Sequence, residues 1–399
     1  MFRVVTHVTV QQTTQLDGKP ARNKLLDFDF VHSLECTDSW RDFTNEGKVV
    51  VPKNLYVKNA SGKLVPLYGT NINVGGFTDS PLLMRGDKVT MNFGYRYFTD
   101  GREILETTED KINGTHLFEG YISEVTSKKP VEFKVEDNFW KLKQLPAPIK
   151  TFSKTDTLED IITYLLKGTG FTVNSMTKTT LGEFRVGNET VAEVLGRLRK
   201  TFHFESYFRG NELRCGSIIY IPSEAKTHTI EFQNNIISDD LQYRRKDDIV
   251  LSIVASNKIE EETGETTKDG KPKTKYNRIE CLVTMRNGSD TPTVFIKKKG
   301  EDYPPNTGGE RMTMPYPFAK TVDELAELAT AEIKKYYYTG FKGKFTTFGI
   351  PYVRMGDNVK LIDKLLPERD GLYKVRSVEY SAGVGGIRQI VQLDYKIIL

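Results

Sequence analysis

The sequence predicts a mainly β protein with an α+β middle, and three observations carry that reading. First, Arg85-Gly86-Asp87-Lys88-Val89-Thr90-Met91 is echoed near the other end by Met355-Gly356-Asp357-Asn358-Val359-Lys360-Leu361. Each copy is followed by a connection, a Gly-Tyr or Gly-Leu-Tyr strand start (Gly120-Tyr121 and Gly371-Leu372-Tyr373) and a closing alternating strand (Val131 to Val135 and Ile390 to Tyr395). Second, 22 Phe and 19 Tyr suit sheet packing better than a helical bundle. Third, helix signals are limited to three capped segments. One Gly-Asp before a strand is an ordinary turn, with Gly supplying positive φ and Asp bonding back to the chain. Repetition of the whole cassette argues for duplication, with one β-module at each end. A chain that presents the same module twice is more often a ring builder than a catalyst.

The elements follow in order. Val4 to Thr14 and Leu25 to Leu34 alternate as strands, and Lys48-Val49-Val50-Val51-Pro52 is a strand stopped by proline. Asp38 to Phe43 predicts a short helical or turn segment with Trp40 and Phe43 on one face. Asp100-Gly101 and Asn113-Gly114 mark the tips of a long hairpin connection. Near Pro146 and Pro148 the pattern changes. Thr157 caps a helix with Leu158, Ile161, Ile162, Leu165 and Leu166 inward and Asp160 completing a capping box; Gly168 and Gly170 end it. Thr190 and Glu193 repeat the plan over Val191, Val194, Leu195 and Leu198. Strands follow at Phe171 to Val173 and His203 to Phe208, the latter turning at Arg209-Gly210-Asn211 into Glu212 to Cys215. β character returns at Thr229 to Phe232 and Ile249 to Ala255. Lys258 to Lys275 has no apolar anchor and predicts an exposed hairpin tip, mobile until something binds it. Tyr303-Pro304-Pro305 to Gly308-Gly309 is another loop. A third capped helix begins at Thr321, with Glu324 three residues on and Leu325, Leu328, Ala329 and Ile333 inward, and ends near Gly340. The expected domains are 1–148, 149–224 and 225–399, the last with the inserted loop 258–275 and helix 321–338.

Composition narrows the function classes. At 399 residues two or three domains are expected. Hydrophobic residues at 38%, charged residues at 28% and a mean hydropathy of −0.44 describe a soluble globular chain. A net charge of +4 is mild for a dedicated nucleic-acid binder. Lys297-Lys298-Lys299 and Arg244-Arg245-Lys246 are short and run into acidic residues, so they read as solvated loop charge. Cys36, Cys215 and Cys281 are odd in number and far apart, which excludes a disulfide framework or zinc spacing and points to free thiols in a reducing environment. Met1 to His7 alternates like a strand and lacks a signal-peptide core, and no apolar run approaches the roughly 18 residues of a membrane span. Synthesis in a cytoplasm, no Sec-type export and no membrane segment are expected.

No catalytic constellation emerges. His7, His32, His116, His203 and His228 are isolated, no Gly-x-Ser-x-Gly elbow occurs, and Gly182 to Gly187 leads into no Gly-Lys-Ser/Thr. Glu159-Asp160, Asp239-Asp240 and Asp247-Asp248 are adjacent pairs whose side chains would diverge on a strand, and Asp160, Glu193 and Glu324 already complement helix dipoles. The expectation is no catalytic residue, no cofactor-binding residue, no metal ligand and no cofactor. Tyr95-Arg96-Tyr97-Phe98 and Tyr336-Tyr337-Tyr338 could stack bases or sugars, but packing in a core or a subunit contact is preferred.

The run from Asp38-Ser39-Trp40-Arg41-Asp42-Phe43 to Val51-Pro52-Lys53-Asn54, with Arg85-Gly86-Asp87 and Phe118-Glu119-Gly120-Tyr121-Ile122, resembles the first tube-like barrel of the phage baseplate hub family. That family includes late control protein D-type hubs and the hub portion of VgrG-type spikes. The resemblance continues through the two capped helices, Ile236 to Leu241 and Gly356-Asp357-Asn358-Val359. It implies two tail-tube-like β-barrels linked by a small α/β domain, and a homotrimer whose six barrels form a pseudo-sixfold ring joining a tail tube to a central spike. The partners it implies are the tail tube or a tube-initiator protein, the spike protein and other baseplate subunits, with DNA only a passenger through the channel. The implied location is the virion tail of a phage, prophage or contractile injection particle, after assembly in the host cytoplasm. The chain stops at Leu399 without a β-helical spike, so the spike is expected to be a separate protein. The tip 258–275 and the loop 100–115 are the expected contacts with neighbouring subunits. A tail-associated peptidoglycan hydrolase and a carbohydrate-binding adhesin stay open as alternatives.

Overall fold

Alternating segments from both ends of the chain hydrogen-bond into one sheet of fourteen strands among the described residues. The structure, a computed structural model, describes residues 2–15, 17–18, 21–28, 31–52, 56–58, 64–66, 82–99, 102–104, 115–126, 130–266, 272–305, 309–316 and 318–398. The main path runs Ile236–Arg244, Gly340–Phe348, Gly386–Lys396, Gly371–Gly383, Ser33–Ser39, Glu46–Val50, Glu132–Glu136, Thr115–Val125, Lys88–Thr99, Phe2–Gln11, Leu25–Phe28. Off this path, Thr227–Glu231 pairs in parallel with Asn358–Ile362, which is antiparallel to Gly371–Gly383.

The period of two decides which side is buried. In Ser33–Ser39, Leu34 and Cys36 enter the core and Glu35 faces out; in Glu132–Glu136, Phe133 and Val135 enter while Lys134 faces out. Val49, Met91 and Phe133 from the amino-terminal module share one buried cluster with Phe345, Tyr373 and Val391 from the carboxy-terminal module. The protein is thus mainly β, as expected. None of its sheets closes on itself among the described residues, because Ser33–Ser39 pairs with the far module instead of turning back on its own.

A second core forms around Leu158–Leu165 and Val191–Phe202. Thr157 and Thr190 accept from the N–H groups of Asp160 and Glu193, whose carboxylates bond back, so both capping boxes are present. The helix Phe139–Gln144, with no signal singled out in the sequence, adds Phe139 and Leu142 to this core.

A third core fills the interval between Ile236–Arg244 and Gly340–Phe348. Leu251–Thr266, Pro272–Met285, Thr293–Ile296 and Glu310–Pro315 form a sheet on which Val322–Tyr336 lays Leu325, Ala329 and Ile333. Here Thr321 accepts from Glu324 N, but the Glu324 carboxylate takes Lys320 N, so the cap is not reciprocal. Leu328, expected inward, is 41% exposed, because the narrow stripe of Leu325, Ala329 and Ile333 already covers the sheet.

Other expectations change in detail. Asp38 to Phe43 takes the turn form and not the helical one: Asp38 and Ser39 finish a strand, and the chain then bends around Ser39 and Asn45, whose side chains take the N–H groups of Arg41 and Ser39. Trp40 and Phe43 part company, Trp40 donating to Tyr220 Oη at 2.7 Å and the Phe43 ring lying 4.6 Å from that of Phe139. The 258–275 stretch is largely strand, paired up to Thr266 with Pro272; its turn, Asp100-Gly101 and Asn113-Gly114 lie outside the described residues. Cys36, Cys215 and Cys281 are buried free thiols.

Asp137 holds the boundary between the first two cores, accepting from Asn45 N at 3.1 Å and Phe139 N at 3.0 Å. Burial pushes its carboxyl up to about 7 against the pull of those N–H groups. The folded state therefore keeps a proton the unfolded chain releases. That contribution is complete below about pH 4 and is lost as pH rises through about 7. Asp137→Asn should flatten the stability slope across this window by at most ~1.4 kcal/mol per pH unit. Urea unfolding of both proteins through the window measures it, and an unchanged slope would contradict the assignment.

Candidate assembly interface

The two Gly-Asp pairs are corners of the sheet, not surface turns. Gly86 and Gly356 adopt φ of +92° and +87°, the left-handed region glycine tolerates. Asp87 is fully buried and Asp357 is 3% exposed. Asp87 accepts from Met84 N (2.9 Å), Thr13 N (3.1 Å) and Thr14 N (3.3 Å), and from both terminal nitrogens of Arg22 at 2.8 and 2.6 Å. Asp357 accepts from Arg354 N (2.9 Å) and Lys226 N (3.1 Å), with His228 Nε2 2.9 Å away. Burial pushes the Asp357 carboxyl up, but His228 and the two N–H groups outweigh it and hold the group below the usual carboxylate range.

From these corners the two modules keep the same register. Gly86 N donates to Ile122 O and Ile122 N to Asp87 O; Gly356 N donates to Val375 O and Val375 N to Asp357 O. Ile122 thus corresponds to Val375. Opposite them, Val135, Lys134 and Phe133 correspond to Leu393, Gln392 and Val391, and each ladder skips one residue, Ser123 or Arg376, at the same place. Glu46–Val50 lies beside Glu132–Glu136 as Gly340–Phe348 lies beside Gly386–Lys396. Ser33–Ser39 and Ile236–Arg244 complete the match, with Cys36 opposite Gly47 and Leu241 opposite Gly343. The same four-strand unit therefore occurs twice. The Gly-Tyr echo does not belong to it: Gly120 faces Val89 while Tyr373 faces Val359, so Gly120 matches Tyr373, and Tyr121 matches Lys374.

One joint connects the units. Ser33–Ser39 runs antiparallel to the 377–383 part of Gly371–Gly383, from Ser39 opposite Ser377 to Ser33 opposite Gly383. Asp38 at the joint accepts from Met355 N at 3.2 Å and lies 3.6 Å from Arg354 Nε and 3.8 Å from Arg209 Nη1. Beside it Trp40 donates to Tyr220 Oη, Tyr220 donates to Asp394 Oδ2 (2.6 Å), and Arg376 donates to Asp394 Oδ1 (2.6 Å). Burial, then the Asp394 charge, raises the Tyr220 phenol far above its ordinary value, so it stays a donor. This chain ties the exit of the middle module to both units.

Each four-strand unit leaves one edge open among the described residues. Ile236–Arg244 pairs only with Gly340–Phe348; Ser238, Asp239 and Asp240 are exposed, and Leu241 N donates to Asp239 Oδ1 at 3.3 Å. In the other unit the Ser123 to Thr126 edge has no strand beside it beyond Ile122. Between these edges one polar face crosses the joint unbroken, through Lys344, Gln392, Glu379, Glu35, Lys48, Lys134 and Glu124. Its charges pair across strands, Lys48 with Glu132 at 3.1 Å and Lys134 with Glu124 at 2.8 Å. At the joint it is hollowed by about 480 Å³, lined by Glu35, Glu46, Lys48, Lys134 and Glu379.

The residues weighed for chemistry are dispersed. Glu159-Asp160 starts a helix, Asp239-Asp240 sits on the open edge, and Asp247-Asp248 lies in the turn Lys246–Asp248. Tyr337 and Tyr338 are core residues, and Tyr95 Oη accepts from Gly349 N; the Tyr97 and Phe98 side chains lie outside the described residues. Among the described residues no group of three His, Cys, Asp or Glu could hold a metal, and no helix is long and apolar enough to cross a membrane. Nothing in the sequence singles out Arg22 or Tyr220, and Asp38 and Asp394 stand there only as members of longer runs.

No family model matches the chain, and no curated protein matches its sequence. Among solved structures it is similar to the tail protein from Neisseria meningitidis MC58, with a TM-score of 0.52 and 12% identity over 99% of this chain and 96% of that one. It is likewise similar to the 43 kDa tail protein of prophage MuSo2 from Shewanella oneidensis, with a TM-score of 0.51 and 12% identity over 98% of each chain. The fold of the whole chain is that of these tail proteins, in agreement with the resemblance read from the sequence.

The corners should differ in cost. Asp87→Ala strips a 2% exposed arginine of its bidentate carboxylate, for an expected loss of ~3–5 kcal/mol. Asp357→Ala removes the acceptor of one imidazole nitrogen and two N–H groups at a less enclosed corner, for about 1–3 kcal/mol. Urea unfolding at neutral pH compares them, and a smaller loss for Asp87→Ala would refute the ranking.

Proposed function

We propose that the chain is a structural baseplate hub of a phage tail or related contractile injection particle, without an enzymatic role. Three copies surround an axial channel. Residues 1–148 and 225–399 of each supply one tube-like barrel unit, linked by 149–224. The six units face the tail tube or its initiator on one side, and a separate spike protein is held on the threefold axis on the other. Assembly takes place in the host cytoplasm, and the finished ring resides in the virion tail.

The observation that carries this reading is the tandem joint: one four-strand unit, repeated in matching register, joined edge to edge within a single sheet. A head-to-tail contact of this kind propagates until its rotation closes a ring, and closure removes the open edges that would otherwise recruit stray strands. Two units per chain let a threefold assembly meet a sixfold partner. The polar face suits a channel wall: Lys48 and Lys134 are engaged by carboxylates across the strands, which weakens their hold on a passing polyanion such as DNA. Likeness in fold to a tail protein and a prophage tail protein supports the same reading. The tip 258–275 and the 100–115 connection are the surfaces that would meet other baseplate subunits.

Native mass measurement and electron microscopy of particles should find three copies about a threefold axis. Asp239→Pro removes an edge donor from an exposed position, so it should abolish the ring while moving the unfolding midpoint only slightly. Particles with one or six copies would refute the hub. A lytic band in zymography would favour the hydrolase, and binding on a glycan array the adhesin.

A further inference from the structure

We infer that a second copy of this chain seats its Ser123 to Thr126 edge on the open edge of Ile236–Arg244, in the register already built into the joint within one chain. The inference rests on the trimeric hub reading and adds the residues that close it. Inside the chain Ser377 stands opposite Ser39, Val378 opposite Asp38 and Glu379 opposite Thr37. The correspondence of the units converts these pairs residue by residue. Ile122 matches Val375 and the skipped Ser123 matches Arg376, so Glu124, Val125 and Thr126 match Ser377, Val378 and Glu379. Cys36 matches Leu241, so Thr37, Asp38 and Ser39 match Gln242, Tyr243 and Arg244. Across the contact between copies, Glu124 then faces Arg244, Val125 faces Tyr243 and Thr126 faces Gln242.

The chemistry of the transferred pairs is complementary. Glu124 is a carboxylate with 56% of its side chain exposed, held only by the equally open Lys134. Arg244 reaches Glu310 at 3.5 Å and is 23% exposed, so it can swing to a second carboxylate. Opposite charges directly across an antiparallel ladder stabilise it, and the hydroxyl of Thr126 and amide of Gln242 meet on the polar side. Asp239 and Asp240, exposed farther along the edge, guard it against unselective strand pairing.

The full chain carrying Thr126→Cys and Gln242→Cys tests the register, since its three native cysteines are buried. Mild oxidation should give a non-reducing ladder ending at three chains. Thr126→Cys with Asp240→Cys, displaced along the edge, should cross-link far less. Independently, Glu124→Arg and Arg244→Glu should each weaken self-association about tenfold or more, and their combination should restore it. A three-chain mass with no preference for the 126–242 pair and no rescue would overturn this register while leaving the hub reading in place. A chain that stays single at every concentration and inside particles would overturn the hub reading and this contact together.

Discussion

A buried carboxylate at the start of each cassette strand sets the register on which the rest of the sheet depends. A one-residue slip in a strand with one buried face turns every side chain over. Asp87 prevents that slip by gathering N–H groups from Thr13, Thr14 and Met84 and the fork of Arg22, so two remote segments meet at one point. Asp357 performs the same task with Lys226, Arg354 and His228. Each corner then passes the register on through the backbone exchange with Ile122 or Val375, and the shared bulge follows. Phe133, Val135, Val391 and Leu393 consequently point into one core, and the charges of both modules appear on one continuous face.

The chemistry of the corners is repeated more faithfully than their partners. Arg22 gives the amino-terminal corner a guanidinium buried together with its carboxylate, whereas His228 gives the other a single imidazole nitrogen beside Asp357. Gly86 and Gly356 differ in the same direction. A Cβ at Gly86 would meet Thr14 Oγ1 at 2.7 Å and the Trp140 ring at 3.0 Å, while one at Gly356 would find only the Tyr220 ring at 3.6 Å. The amino-terminal corner is packed from all sides; the carboxy-terminal one opens toward the middle module.

What could be read in the sequence was what is encoded locally. Turn chemistry exposed both Gly-Asp corners, Thr-x-x-acid spacing exposed the caps at Thr157 and Thr190, and alternation exposed the closing strands at 131–135 and 390–395. The fold resemblance held over the whole chain. Long-range partners were illegible: nothing in the neighbourhood of Arg22 marks it for Asp87, nor Trp40 for Tyr220, because a tertiary hydrogen bond leaves no periodicity. The Gly-Tyr echo misled because composition was matched where register decides, and Tyr373 falls beside Gly120 instead of Tyr121. Leu328 read as core because its spacing is helical, yet a helix lying on a sheet buries a narrower stripe than one inside a bundle. The open edges were hidden for the same reason as the partners, since Ile236 to Leu241 reads like any strand until its neighbours are known.

The insertion explains how a repeated unit acquires two different ends. Between its first two strands the amino-terminal unit has the short bend after Ser39, whereas the other unit carries the whole third core. Both connections leave from the same end of the sheet, where the middle module also attaches and where Tyr220, Tyr336 and Tyr395 meet edge to face. Among the described residues of the opposite end, the Gly383–Gly386 turn and the end of Gly340–Phe348 leave Val384, Phe348 and Ile350 exposed at 66%, 43% and 52%. In the proposed ring the crowded end would have threefold character, because only alternate units bear the insertion. The other end would present strand ends from all six units, with the exposed apolar residues Phe348, Ile350 and Val384 supplied by the carboxy-terminal unit of each chain. In the proposed ring a single duplicated unit would thus meet both symmetries through the placement of one insertion, with no change to the sheet itself.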